Sequence, residues 1–305
     1  MLDMAHVLDL NLLLEQAFNG LIIATGIYLV ASGLSLIYGM LGVPNFAHGS
    51  LYMYGAFLLF TVTRFMFGNI PWLFWVGLLL VPLIVMILGM GIEVFLLRPI
   101  YRADAFYQLL LTYGLVLIFG DLVKMIWGTE NQAVSRPPGF EGSMSLFDIS
   151  LPSYQMLILI PISFLTLVLL YLFIHKTRLG SIIRTVSYDQ EMLGALGINV
   201  RLLYTGVFAM GTWLAGLGGV VLAPLGAVYP GMDFHVIIDV FLVVVLGGLG
   251  SMTGTALGAL IYGELRSFGI LLTPEFESVF IYVLIVVVLS WRPQGLMGRH
   301  LAGGH

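Results

Sequence analysis

Runs of apolar residues recur along the chain at a length close to that of a membrane crossing: 17–38, 50–66, 72–96, 107–126, 154–174, 202–225, 235–250, 255–272 and 277–291. A helix needs roughly 17 to 25 such residues to cross about 30 Å of hydrocarbon. The runs near 50, 235 and 277 are short, so one of them is open to being a half-helix or re-entrant piece, and the expected count is about nine with a range of eight to ten. Residues 1–305 therefore read as a single all-α, polytopic transmembrane domain. Two polar segments interrupt it. Residues 127–153 are rich in Gly, Pro and Ser and predict an external loop with little regular structure, serving either as a contact for a soluble partner or as a plain connector. Residues 175–201 are polar and partly helical in pattern.

Composition sharpens this picture. Hydrophobic residues make up 60% of the chain and charged residues 9%, with a mean hydropathy of +1.04. A soluble globule of 305 residues could not cover that much apolar side chain. There is no cysteine, which excludes disulfides, thiolate metal sites and thiol catalysis. Met1–Glu15 carries Asp3, Asp9 and Glu15 and lacks the basic start of a cleaved signal peptide.

The net charge of −4 says less than the placement of the charges. Arg98 and Arg102 mark one loop, Lys176, Arg178, Arg184 and Arg201 a second, and Arg292 with Arg299 the C-terminus. With nine spans these fall on one side, the cytoplasm by the positive-inside rule, which puts the acidic N-terminus, the 127–153 loop, Asp233, Glu275 and Glu277 outside. Arg64 and Arg136 are exceptions to the pattern.

Within the cytoplasmic segment 175–201, Ser187-Tyr188-Asp189-Gln190 has the form of a capping box, so a short helix is expected to begin there. It would run through Glu191, Met192, Leu193 and Leu196 and stop at Gly197, which suits a C-terminal cap. Two turns are too short to be stable alone in water, so the helix must dock. Its mixed charge and modest apolarity favour a protein partner over the membrane surface.

Several stretches then resemble a known family. Gly180, Arg184, Asp189 and Leu196-Gly197-Ile198-Asn199 are followed by Phe208-Ala209-Met210-Gly211 and Leu214-Ala215-Gly216-Leu217-Gly218-Gly219-Val220. Gly33-Leu34-Ser35-Leu36-Ile37-Tyr38-Gly39 leads to Asn45-Phe46-Ala47-His48-Gly49-Ser50, and Val245-Leu246-Gly247-Gly248-Leu249-Gly250-Ser251 precedes Gly254. Arg292-Pro293-Gln294-Gly295-Leu296 closes the series. Together, in order and over most of the chain, these resemble the permease subunits of branched-chain amino acid ABC importers, of the type often called LivH-like. The resemblance implies a bacterial inner-membrane permease without enzymatic activity of its own. It further implies a homologous second permease, two ATP-binding subunits that carry ATP and Mg, and a periplasmic or extracellular substrate-binding protein; nucleic acid is not an expected partner. It casts 175–201 as the segment seated on the ATPase, with Arg184, Ser187, Asp189, Glu191, Leu193, Leu196 and Gly197 as the coupling residues. The chain has no G-x-x-x-x-G-K-[ST] sequence of its own to hold ATP phosphates. Importers of urea, short amides and small organic acids carry a similar resemblance, and an ion-coupled secondary transporter or an intramembrane enzyme would need acidic or convergent catalytic groups inside the bilayer.

Polar residues within the apolar runs are the remaining candidates. Asn45, Phe46 and His48 follow Pro44 between Gly42 and Gly49, a composition that predicts a broken helix and a pathway or gate element, or else side chains that satisfy freed carbonyls. Glu93, Asp121 and Glu264 each have a basic residue nearby in sequence, namely Arg98, Lys124 and Arg266, and local pairing or interfacial snorkelling accounts for them. Asp239 has no close basic neighbour in sequence and is expected, with Asp233 and His235, near the external end, as a pathway or capping residue. Gly250, Gly254 and Gly258 have small-x-x-x-small spacing, suited to close helix packing, with a subunit interface as one place for it. The six histidines are scattered, so no metal site is expected.

Overall fold

The computed structural model describes residues 10–42, 44–65, 70–101, 103–146, 149–186, 190–195 and 197–298. Eleven α-helices carry the described chain. They are α1 (Leu10–Leu41), α2 (Ala47–Phe60, prolonged by a π turn at Thr61–Phe65), α3 (Leu73–Ile92) and α4 (Ala105–Trp127). α3 ends in a π turn, Glu93–Leu97, and a 3-10 turn, Arg98–Ile100. After the loop come α5 (Ile160–Lys176, preceded by a π turn at Gln155–Leu159), α6 (Arg178–Val186), α7 (Gln190–Ala195), α8 (Val200–Leu222), α9 (Met232–Gly247), α10 (Met252–Leu272) and α11 (Glu277–Trp291).

Helix ends follow the local chemistry. Asp104, Asn199 and Ser251 each accept a hydrogen bond from a backbone N–H of the first turn, of α4, α8 and α10 respectively, at 2.8, 3.1 and 3.1 Å. Gly42, at φ +71°, closes α1 with its N–H on the Tyr38 carbonyl at 2.8 Å.

Among the described residues seven helices are long and apolar enough to cross a membrane: Leu10–Leu41, Leu73–Ile100, Ala105–Trp127, Gln155–Lys176, Val200–Leu225, Met252–Leu272 and Pro274–Trp291. Each of the nine apolar runs falls on a helix, but the runs at 50–66 and 235–250 become α2 and α9, which do not meet that standard. Every residue of α2 except Leu58 is buried, so its polar positions face protein rather than lipid. α1 and α8 lie beside it at the centre, with 72% and 78% of their apolar windows buried, whereas α4 and α11 have 22% and 11%. Their outward residues, such as Leu117, Met125, Val283 and Val286, are large, apolar and exposed, as a lipid solvent requires.

Small residues let the central helices touch. A Cβ on Gly33 of α1 would strike the Gly211 carbonyl of α8, and one on Gly55 of α2 would lie 2.6 Å from the Gly216 carbonyl. Polar side chains bridge others: Ser163 donates to the Thr25 carbonyl at 2.9 Å and Ser267 to that of Gln16 at 2.8 Å.

The two ends of the bundle differ. At one, β1 (Gln132–Ala133) pairs antiparallel with β4 (Ala227–Val228), and β2 (Ser143–Leu146) pairs with β3 (Ile149–Pro152). The 127–153 segment is therefore more regular than expected. Ile149 and Leu151 are buried, and these alternating apolar side chains make a strand, β3, out of what composition alone reads as a loop. Arg64 belongs to this end, donating to the Ala133 carbonyl at 3.3 Å. At the other end lie the close of α3, α6 and α7, the start of α8 and the C-terminal segment, whose Leu296 and Met297 N–H groups donate to the Leu246 and Gly247 carbonyls, both at 2.9 Å. Arg98, Lys176, Arg178, Arg184, Arg201 and Arg292 gather there.

Candidate functional site

The break between α1 and α2 places polar groups in the centre of the bundle. His48 Nε2 lies 2.9 Å from the Val30 carbonyl, and Val30 precedes the end of α1 by three turns of helix. At 1.5 Å per residue this is about 16 Å, so the short link after Gly42 doubles back along α1 and α2 begins deep inside the protein. Asn45 Oδ1 accepts from the Ala47 N–H at 3.1 Å, two residues on, in the turn that leads into that helix. Phe46 stacks on Phe241 of α9 with ring centroids 5.3 Å apart.

A second helix start meets this one. Ser50 donates to Asp233 Oδ2 at 2.8 Å, joining the first turns of α2 and α9. Asn45, His48, Ser50 and Asp233 are all buried. Ser35 Oγ, Asn45 Nδ2, His48 Nδ1 and Asp233 Oδ1 are buried without a hydrogen-bond partner among the described residues. Such orphaned groups are uncommon in protein interiors, and they give this part of the core a polar character. Ser35, Ser50 and Asp233 were not singled out as a cluster by sequence: Ser35 and Ser50 lie in the runs around Gly33 and Asn45, and Asp233 was grouped with Asp239 and His235 instead.

Asp239 has a basic partner after all, 27 residues away on the next helix. Arg266 Nη1 donates to Asp239 Oδ2 at 3.3 Å and to the Tyr262 hydroxyl at 3.0 Å, and its Nη2 stands 3.9 Å from Glu277. The expected pairing of Arg266 with Glu264 does not occur, because residues two apart on a helix point to different sides. Glu264 instead packs against Gly20 of α1. Beside the Asp239–Arg266 pair lies a cavity of about 230 Å³ whose other walls are apolar, among them Ile23, Ile27, Leu222 and Val236. His235 lies beside the Tyr229 ring, with centroids 6.3 Å apart.

Glu93 is fully buried and pairs with Arg98, through Nε at 3.1 Å and Nη2 at 2.7 Å. It also accepts from the Tyr101 hydroxyl at 3.0 Å and the Thr205 hydroxyl at 2.9 Å, which ties the end of α3 to the start of α8. Asp121 and Lys124 pair at 3.0 Å on the exposed face of α4.

The 175–201 segment is more helical than its sequence suggested. α6 occupies Arg178–Val186, started by Thr177, whose hydroxyl accepts from the Gly180 N–H at 3.0 Å. Ile183 of α6 is buried in a cluster with Leu36, Met40, Ile174, Tyr204, Val207 and Met252, while Leu179 is exposed. Arg184 is half-buried. The short helix α7 carries Glu191 and Leu193, and Gly197 follows it at φ +79°. Ser187, Asp189 and Leu196 lie outside the described residues.

The glycine ladder divides. Gly250 stands at φ +76° in the turn before α10, so it is no part of a helical stripe, and a Cβ there would come 2.7 Å from the Gly39 Cα. Gly254 and Gly258 lie on α10 against the backbone of α9 at Gly247 and Val243, a contact inside this chain. No group of three His, Cys, Asp or Glu side chains able to hold a metal ion occurs among the described residues.

Residues 16–289 match the family described as branched-chain amino acid transport system, permease component. The high-affinity branched-chain amino acid transport system permease protein BraD of Pseudomonas aeruginosa is 29% identical over 294 residues, covering 94% of this chain and 96% of BraD. LivH of Escherichia coli, a permease protein of the same description, is 30% identical over 297 residues, again 94% of this chain and 96% of the relative. LivM of Escherichia coli, another such permease protein, is 25% identical over 307 residues, covering 90% of this chain and 68% of LivM. No solved structure matches.

Proposed function

This chain belongs to the family of permease components of branched-chain amino acid transport systems, and from that premise we propose that it forms one half of the pathway by which an ATP-driven importer carries branched-chain or related aliphatic amino acids across a bacterial inner membrane. It is a multi-pass membrane transport subunit rather than an enzyme. Its relatives include permeases of both the LivH and LivM names, and a second permease is the partner that completes the pathway. The observation that carries the reading is the placement of polar, partly unpartnered groups at the start of a helix that begins inside the bundle, since irregular backbone at membrane depth persists where it is buried in protein or lines a passage. Asn45, Phe46 and His48 form the gate element of that passage, and Asp239 lies along it.

The basic end of the bundle faces the cytoplasm, as the positive-inside rule favours, with the N-terminus outside. There α6, α7 and the start of α8 form the surface on which two ATP-binding subunits sit. Leu179 and Leu202 are 54% and 70% exposed at that end, next to Arg178 and Arg201, and such apolar side chains outside a bilayer favour a docked protein. ATP and Mg belong to those subunits, and rocking of α7 and the helices joined to it transmits their closure. The hairpin end receives a substrate-binding protein, and residues Ser187, Asp189, Glu191, Leu193, Leu196, Gly197 and Arg184 serve the coupling surface. Gly254 and Gly258 pack the helices.

The test is purification of the tagged chain from its native membrane in mild detergent. Recovery of a second permease and a nucleotide-binding subunit is the expected result. Recovery of a stable homo-oligomer alone, across several detergents, would replace this reading with a self-sufficient transporter.

A further inference from the structure

We propose that the cavity beside Asp239 and Arg266 is a transient binding site for the zwitterion of an aliphatic α-amino acid, with Asp239 receiving its ammonium group and Arg266 its carboxylate. The inference rests on the transport reading above and adds to it a place and an orientation for the cargo.

Three observations converge. The cavity holds about 230 Å³, below the roughly 300 Å³ at which pockets for larger ligands begin, so it suits a molecule the size of a single amino acid. Its apolar walls come from Ile23 and Ile27 of α1, Leu222 of α8 and Val236 of α9, a surface matched to a branched hydrocarbon side chain. On its polar side an anion and a cation stand together, as the two charged groups on the α-carbon of an amino acid require.

The pair is also loosely made. Its single contact of 3.3 Å is longer than the roughly 2.7–2.9 Å of a strong charge-assisted bond, whereas Glu93 and Arg98 in the same chain make a two-point pair reaching 2.7 Å. A zwitterion can enter such a pair without leaving a charge alone, because each protein charge exchanges one opposite partner for another. A bare carboxylic acid would occupy Arg266 and strand Asp239, which is costly in a low-dielectric site, and a bare amine would occupy Asp239 and leave Arg266 with the longer Glu277 contact of 3.9 Å. The Asp239 and Arg266 side chains are 31% and 36% exposed although both lie within helices of the bundle. Lipid would penalise that exposure, so the open side of the cavity faces the second permease across the pathway.

The experiment uses the complete importer, reconstituted in proteoliposomes with its binding protein, and photo-leucine, a diazirine analogue of leucine. ATP-dependent uptake of photo-leucine followed by ultraviolet cross-linking is expected to label peptides containing Ile23 to Ile27 or Leu222 to Val236. Asp239→Asn and Arg266→Gln are each expected to slow uptake at least tenfold. The exchanged pair, Asp239→Arg with Arg266→Asp, keeps an ion pair but reverses its direction against the apolar walls, and is expected to assemble and remain slow. Uptake with labelling confined to other peptides, or full uptake by the exchanged pair, would overturn the site while leaving the transport reading standing. Absence of ATP-dependent uptake by the unmodified complex would instead overturn the transport reading itself. Should the charge variants fail to assemble, Ile27→Trp, which fills the cavity and leaves both charges in place, decides the matter: slowed uptake supports the site and unchanged uptake removes it.

Discussion

Ser50 and Asp233 join the first turns of two helices that are remote in sequence, through a hydrogen bond of 2.8 Å in a fully enclosed setting. Both helices start inside the protein, so this bond fixes where two short elements begin relative to each other. Ser50→Ala is expected to lower stability by about 1–3 kcal/mol, the cost of leaving a buried acceptor without its donor. Asp233→Asn, which can still accept from Ser50, should be milder than Asp233→Ala. Thermal unfolding of the detergent-purified complex measures all three, and equal losses for Asn and Ala would show that the bond matters little.

The Glu93–Arg98 pair predicts an asymmetric response. Arg98→Ala leaves a fully buried carboxylate uncompensated and is expected to destabilise by about 3–5 kcal/mol. Replacing both residues, with Glu93→Gln and Arg98→Gln, should cost less than Arg98→Ala alone. The comparison is made by yield and melting temperature of the purified protein, and a double variant worse than the single one would contradict it.

Gly33 lies where α1 packs against α8. A Cβ there would meet the Gly211 carbonyl and lie 2.9 Å from His48 Cε1, neither of which has room to retreat. Gly33→Val should therefore reduce the amount of folded protein in the membrane severely. Gly91→Ala, at a position with open space around it, serves as the control and should express normally.

Gly197 tests coupling rather than folding. Its φ of +79° is costly for a β-branched residue, by about 1–2 kcal/mol, and a Cβ there would meet no atom of the described residues within 4 Å. Gly197→Val is expected to leave the protein in the membrane while separating ATP hydrolysis from uptake, as are aspartates at Leu193 and Leu196. Substrate-stimulated hydrolysis and uptake that both remain normal would remove this segment from the coupling role.

Much of the architecture was legible because hydrophobicity along the chain is a one-dimensional record of burial in lipid. All nine apolar runs lie on helices, and Gly42 with Pro44 marks the break before α2. What could not be read was which polar residue faces which. Arg266 is nearer in sequence to Glu264 than to Asp239, yet helix geometry turns 264 and 266 apart while antiparallel packing brings α9 and α10 together. The hairpin in 127–153 was hidden for a similar reason: Ile149 and Leu151 are ordinary in a Ser- and Gly-rich stretch until the bundle surface gives them something to cover. α6 escaped notice because its start is a single threonine, Thr177, directly after a membrane helix, with no run of its own to announce it.

The inward start of α2 bears on how this protein is made. A segment that is polar at one end, less apolar than its neighbours and covered by α3, α4, α8 and α9 gains little by partitioning into lipid as it leaves the ribosome. Its burial requires surfaces that are synthesised more than 150 residues later, the Gly216 stripe of α8 and the Asp233 end of α9. The final setting of residues 44–65 therefore depends on the second half of the chain, since the surfaces that enclose them are complete only once α8 and α9 have been made.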